Sequence, residues 1–126
     1  MLAAANRTAI AQMRRQELLT ATPAQLTVKL FQRLMLDLNR AAADLATGNT
    51  GSASANLVHA QAIIAELDAT LNVNGWAGAE DLKAVYGSCL QTIDAANRTS
   101  GPAGVTTAIE LMAPVAEAFE QAAKTA

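Results

Sequence analysis

Three clusters of turn-forming residues cut this chain into long pieces, and each piece is patterned as a helix. They are Gly48-Asn49-Thr50-Gly51, Asn72-Val73-Asn74-Gly75-Trp76-Ala77-Gly78 and Arg98-Thr99-Ser100-Gly101-Pro102. Between them no segment alternates apolar and polar residues as a half-buried strand does. Helices of this length joined by loops of a few residues run antiparallel to their sequence neighbours. The expected fold is all-α: an antiparallel up-down-up-down four-helix bundle over residues 20–126, with an N-terminal arm over residues 1–19.

The first long piece opens Thr22-Pro23-Ala24-Gln25. Thr22 can cap a helix, Pro23 suits its first position, and Gln25 lies three residues on, as a capping box requires. Leu30, Phe31, Leu34, Leu38, Ala41 and Leu45 then share one face, and the helix should end near Thr47. Lys29, Gln32, Arg33, Asn39 and Arg40 take the other side. Val28 and Met35 sit just past the edge of the apolar face, and Leu36 falls among the polar residues.

Ser52 or Ser54 can cap the next helix, whose main stripe is Leu57, Ala60, Ile64, Leu67 and Leu71, with Ile63 alongside. Val58, Ala62, Ala65 and Ala69 make a second stripe of small or β-branched residues, which would let another helix approach closely. The third helix carries Leu82, Val85, Tyr86, Cys89, Ile93 and Ala96 on one face. The fourth carries Val105, Ala108, Ile109, Met112, Val115, Ala116, Phe119 and Ala123, with Leu111, Ala118 and Ala122 off its centre. Pro114 lies inside this helix. It removes one donor and crowds the carbonyl of Glu110, so a bend or local break between Glu110 and Pro114 is expected.

Composition excludes several functions. The formal net charge is −2 and no run of Lys or Arg stands out, which argues against a nucleic-acid footprint. No apolar run approaches the roughly 18 residues of a membrane span. Met1-Leu2-Ala3-Ala4-Ala5-Asn6-Arg7 lacks the form of a signal peptide, and Cys89 alone forms no disulfide within the chain. The expectation is a cytoplasmic protein. Chemistry is sparse as well. One His and one Cys make no zinc set, and Cys89 falls on a core stripe. Glu66 with Asp68, and Glu80 with Asp81, read as solvated surface. Gly101-Pro102-Ala103-Gly104 starts a helix and lacks the Lys and Ser/Thr of a phosphate loop. No enzyme, metal or cofactor is expected. His59 projects away from the core stripe, as in a histidine phosphotransfer domain, but Ala60-Gln61-Ala62-Ile63 lacks the Lys and Gly usual after the phosphorylated residue there.

Two stretches carry a resemblance to a known family. Thr20-Ala21-Thr22-Pro23-Ala24-Gln25-Leu26, followed by Leu30-Phe31, resembles the opening of the FliS family of flagellar secretion chaperones. Asn56-Leu57-Val58-His59-Ala60-Gln61-Ala62-Ile63-Ile64-Ala65-Glu66-Leu67, ending in Leu71-Asn72, is similar to that family's second conserved-type segment, at matching spacing. Leu82-Lys83-Ala84-Val85-Tyr86 is a weaker third match, and Phe119 stands where the family often has Trp. Ile10 stands near the position of a common arm tyrosine, Ser88, Cys89 and Leu90 replace a Tyr-rich stretch, and Pro114 has no usual counterpart.

The resemblance implies a small antiparallel helical bundle that binds the disordered C-terminal segment of flagellin in apolar grooves, with contacts to the flagellar export gate. The residues left outside the core stripes are the expected groove: Val28, Met35, Leu36, Val58, Ala62, Ala65, Ala69, Leu111 and Ala118. Ile10 and Met13, one helical turn apart, are expected to cover part of it when no client is bound, with Leu18 and Leu19 tethering the arm. The rival is a structural homo-oligomer, such as a homodimer, that hides the same stripes against its own copy; a phosphotransfer domain using His59 is the third reading.

Overall fold

The hydroxyl of Thr22 accepts the Gln25 N–H at 3.2 Å, and the Gln25 side-chain oxygen accepts the Thr22 N–H at 2.9 Å. This reciprocal box, with Pro23 at the first helical position, starts the long helix where the sequence places it. The computed structural model describes residues 2–125, apart from the side chains of 2–5 and 17–20. The described residues form five helices and no strand: α1 (Leu2–Thr20), α2 (Pro23–Ala46), α3 (Thr50–Thr70), α4 (Ala79–Thr99) and α5 (Pro102–Thr125).

Four substantial interfaces join α2 to α3, α3 to α4, α4 to α5 and α5 back to α2. The last four helices therefore close a ring, and α1 takes part in none of these interfaces. Across the α2–α3 interface Asp37 meets His59 and Asp44 meets Asn56. Residues later in α2 thus pair with residues earlier in α3, as the three-residue connection between the two requires.

The ring encloses one core. Phe31, Leu34, Leu38 and Ala41 enter it from α2, and Leu57, Ala60, Ile63, Ile64 and Leu67 from α3. Leu82, Tyr86, Cys89, Ile93 and Ala96 come from α4, and Val105, Ala108 and Met112 from α5. Full burial of each large aliphatic side chain is worth about 1.5–3 kcal/mol. The C-terminal half of α5 is less enclosed: Val115, Ala116 and Phe119 are half-buried. There the Phe119 ring stacks on Phe31 with centroids 4.9 Å apart, joining the end of α5 to the start of α2.

One expectation is corrected, and one alternative of another is removed. Asn49, not Ser52 or Ser54, caps α3, its side-chain oxygen accepting the Ser52 N–H at 3.3 Å. Asparagine is as good a cap as serine, and using it lets Thr50, Gly51 and Ser52 join the helix. Pro114 does not break α5, which is helical from Pro102 to Thr125. Pro114 and Glu110 are both exposed, so water can reach the carbonyl that the proline leaves without its amide partner. A proline on the outer side also favours curvature that is convex to solvent, which is how a helix wraps a core.

Candidate functional site

Packing one face of each helix into the ring leaves other apolar residues outside it. On α3, Val58 is 55% exposed, and Ala62, Ala65 and Ala69 are exposed with it. This stripe lies opposite the buried Leu57, Ala60, Ile64 and Leu67. No helix of the ring covers it, so the close approach that its small residues permit is unused. On α2, Leu36 stands 41% exposed, two positions from the fully buried Leu34.

The other candidates lie along the edges of α5. Val28 lines an open cleft of about 690 Å³ between the start of α2 and the end of α5, with Gln25, Lys29, Gln32, Glu120 and Ala123. Met35 is one heptad along α2 from Val28 and packs partly on the core. The opposite edge of α5 is marked by Gly104, which sits against Ala96 of α4. Leu111 and Ala118 follow Gly104 by one and two heptads, so they lie along the α4 side; Leu111 is half-buried on the core and Ala118 is exposed.

The nine residues therefore do not meet in one groove. They occupy the outside of α3, the outer face of α2, and the two sides of α5. On the arm, Ile10 and Met13 are 49% and 69% exposed. The side chains of Leu18 and Leu19 lie outside the described residues.

A polar feature at the α2–α3 edge escaped the sequence reading. Asp37 is fully buried. One carboxylate oxygen accepts Arg33 Nε at 3.0 Å, and the other accepts His59 Nδ1. Arg33 and His59 are themselves half-exposed. His59 thus does face solvent, as expected, but its ring is held from behind. The signal was present in the sequence: Asp37 falls between Leu34, Leu38 and Ala41, with Arg33 one turn before it. The end of the bundle holds a second unforeseen feature. A cleft of about 200 Å³ is lined by Thr27, Leu67, Leu71, Trp76, Tyr86 and Phe119, and Trp76 is exposed at its rim.

Two groups are perturbed by their surroundings. Burial pushes the Cys89 thiol from its ordinary 9.0 up to about 11, so it is protonated and a poor nucleophile near neutral pH. Burial, and then the charge of Asp68, push the Tyr86 hydroxyl up to about 12. Asp68 is also paired with Lys83 at 2.9 Å. Among the described residues no three His, Cys, Asp or Glu side chains gather to hold a metal ion, and no helix is long and apolar enough to cross a membrane.

A family model described as flagellar protein FliS matches residues 5–126. No curated protein matches the chain.

Proposed function

This chain belongs to the FliS family of flagellar proteins, and from that premise we propose that it is a cytoplasmic export chaperone rather than an enzyme. Its client is the disordered C-terminal segment of flagellin. By holding that segment it prevents premature polymerisation and assists flagellar type III secretion, passing the client to the export gate. Residues 20–126 act as an up-down-up-down four-helix bundle and residues 1–19 as an arm. The ring of interfaces and the opposed numbering across α2–α3 support that topology.

The observation that carries the reading is the apolar surface left over once the core is closed. Leu36, Val58, Ala62, Ala65, Ala69 and Ala118 are exposed on several sides of the ring. Val28, Met35 and Leu111 are half-buried at its edges and can complete the contact. A globular partner would cover one side. An extended segment, disordered when free and folding as it docks, can wrap several. The arm acts as a cap in a second state, in which Ile10 and Met13 leave solvent for the same surface.

Mass in solution with and without a flagellin C-terminal peptide tests the reading. A one-to-one complex supports it. A stable dimer of this chain that ignores the peptide supports the homo-oligomer instead. Deleting residues 1–17 tests the cap: tighter peptide binding with poorer solubility of the free protein is expected, and no change in either would refute it.

A further inference from the structure

We propose that Arg33, pinned on the buried Asp37 that His59 holds from α3, forms with Arg40 a recognition point for a carboxylate of the client. The segment held at the α2–α3 edge would then carry acidic side chains beside its apolar ones. This inference rests on the chaperone reading above.

The geometry fixes one guanidinium at this edge. Asp37 is fully buried, and each of its oxygens is taken by a different side chain. Arg33 spends Nε on that bond at 3.0 Å, and its terminal Nη groups remain for another acceptor. His59 donates Nδ1–H to the other oxygen and so holds Asp37, and through it Arg33, from the α3 side. Long side chains normally lose much freedom on binding. Arg33 is already fixed from behind, so that cost is reduced.

Charge and pattern name the occupant. Arg33, Leu36 and Arg40 follow at three- and four-residue spacing and form one stripe of α2. Asp37 offsets Arg33 from beneath at 3.0 Å, whereas Arg40 has no carboxylate bonded to it among the described residues. Across the edge, Ala62 lies one turn on from His59 and borders the apolar stripe of α3. A helix lying here meets guanidinium groups along one flank and, along the other, His59 and the small Ala62, with the exposed Glu66 one heptad beyond His59. Its own complement is an acidic flank beside an apolar one, and an arginine receives a carboxylate through two parallel hydrogen bonds.

The test is calorimetry with two probes: the flagellin C-terminal segment, and the same segment with every Asp and Glu changed to its amide. At low ionic strength the unmodified chain should bind the acidic probe about fivefold more tightly, the size expected of a few rim charges, and salt should narrow the gap. Arg33→Gln with Arg40→Gln should close the gap while leaving affinity for the amide probe unchanged. Arg40→Gln alone touches no bond to Asp37, so it should narrow the gap even if the double variant folds poorly. Equal affinity of the unmodified chain for both probes overturns the inference, as does a gap unchanged in Arg40→Gln. Failure to bind either probe overturns the chaperone reading itself, and the inference with it.

Discussion

A methyl group added at Gly104 should separate α4 from α5. The new Cβ would lie 2.8 Å from the Ala96 Cβ, 3.5 Å from its Cα and 3.6 Å from the Thr92 carbonyl oxygen. Carbon atoms in contact prefer about 3.5–4.0 Å, so the helices must part by most of an ångström. Overpacking of this kind costs about 1–3 kcal/mol, while alanine in place of a helical glycine returns about 1 kcal/mol. Gly104→Ala should therefore destabilise by about 1 kcal/mol, net. Gly87 is the internal control. It lies inside α4 with nothing within 4 Å of an added Cβ, so Gly87→Ala should stabilise by about 1 kcal/mol. Urea unfolding should show midpoints moving in opposite directions with unchanged m values. Combining Gly104→Ala with Ala96→Gly should be less damaging than the sum of the single changes, because the two atoms in conflict are then never both present. If both glycine substitutions stabilise equally, α4 and α5 do not approach as closely as described.

Leu34→Ala should cost about 2–5 kcal/mol because the side chain is fully buried, whereas Leu36→Ala should cost only about 0.5 kcal/mol yet weaken peptide binding; equal losses in denaturation would mean that the faces of α2 are misassigned. Pro114→Ala restores an amide to an uninterrupted, exposed stretch of α5, and a stabilisation of about 1–3 kcal/mol is expected in thermal unfolding, with no gain refuting the account of the exposed carbonyl. Stability should fall as pH rises from 9.0 toward about 11, because the unfolded Cys89 thiol loses its proton before the buried one does. Urea titrations across that range should show a shallower fall in Cys89→Ala, with the part due to Tyr86 entering above pH 10.0.

The sequence shows the helices because its signals are local. The box at Thr22 and Gln25, the glycine-rich breaks and the stripe from Phe31 to Ala41 each need only a few neighbouring residues to be read. Asn49 was overlooked because serines nearby offered an equivalent cap, and such boundaries differ by small energies. At Pro114 the helix is unbroken, and periodicity does not show whether a freed carbonyl faces water. The candidate site was less legible. The second stripe of α3 can be found by spacing, and it is exposed. Whether stripes from different helices share a groove depends on which helices are neighbours. The ring order places Leu111 and Ala118 on one side of α5 and Val28 on the other, with the α3 stripe elsewhere. Asp37 is the clearest miss: a charge inside an apolar face makes sense only once His59, 22 residues away, is brought against it.

The central claim is that this chain holds the C-terminal segment of flagellin. Isothermal titration calorimetry with that segment, from the flagellin of the same source, tests it most directly. The account predicts saturable one-to-one binding with a negative heat-capacity change, as apolar surface is buried while a disordered segment folds. Val58→Asp, which places a charge on the exposed α3 stripe, should weaken that binding without unfolding the protein. Absence of binding by the folded chain at concentrations where it is monomeric would contradict the account.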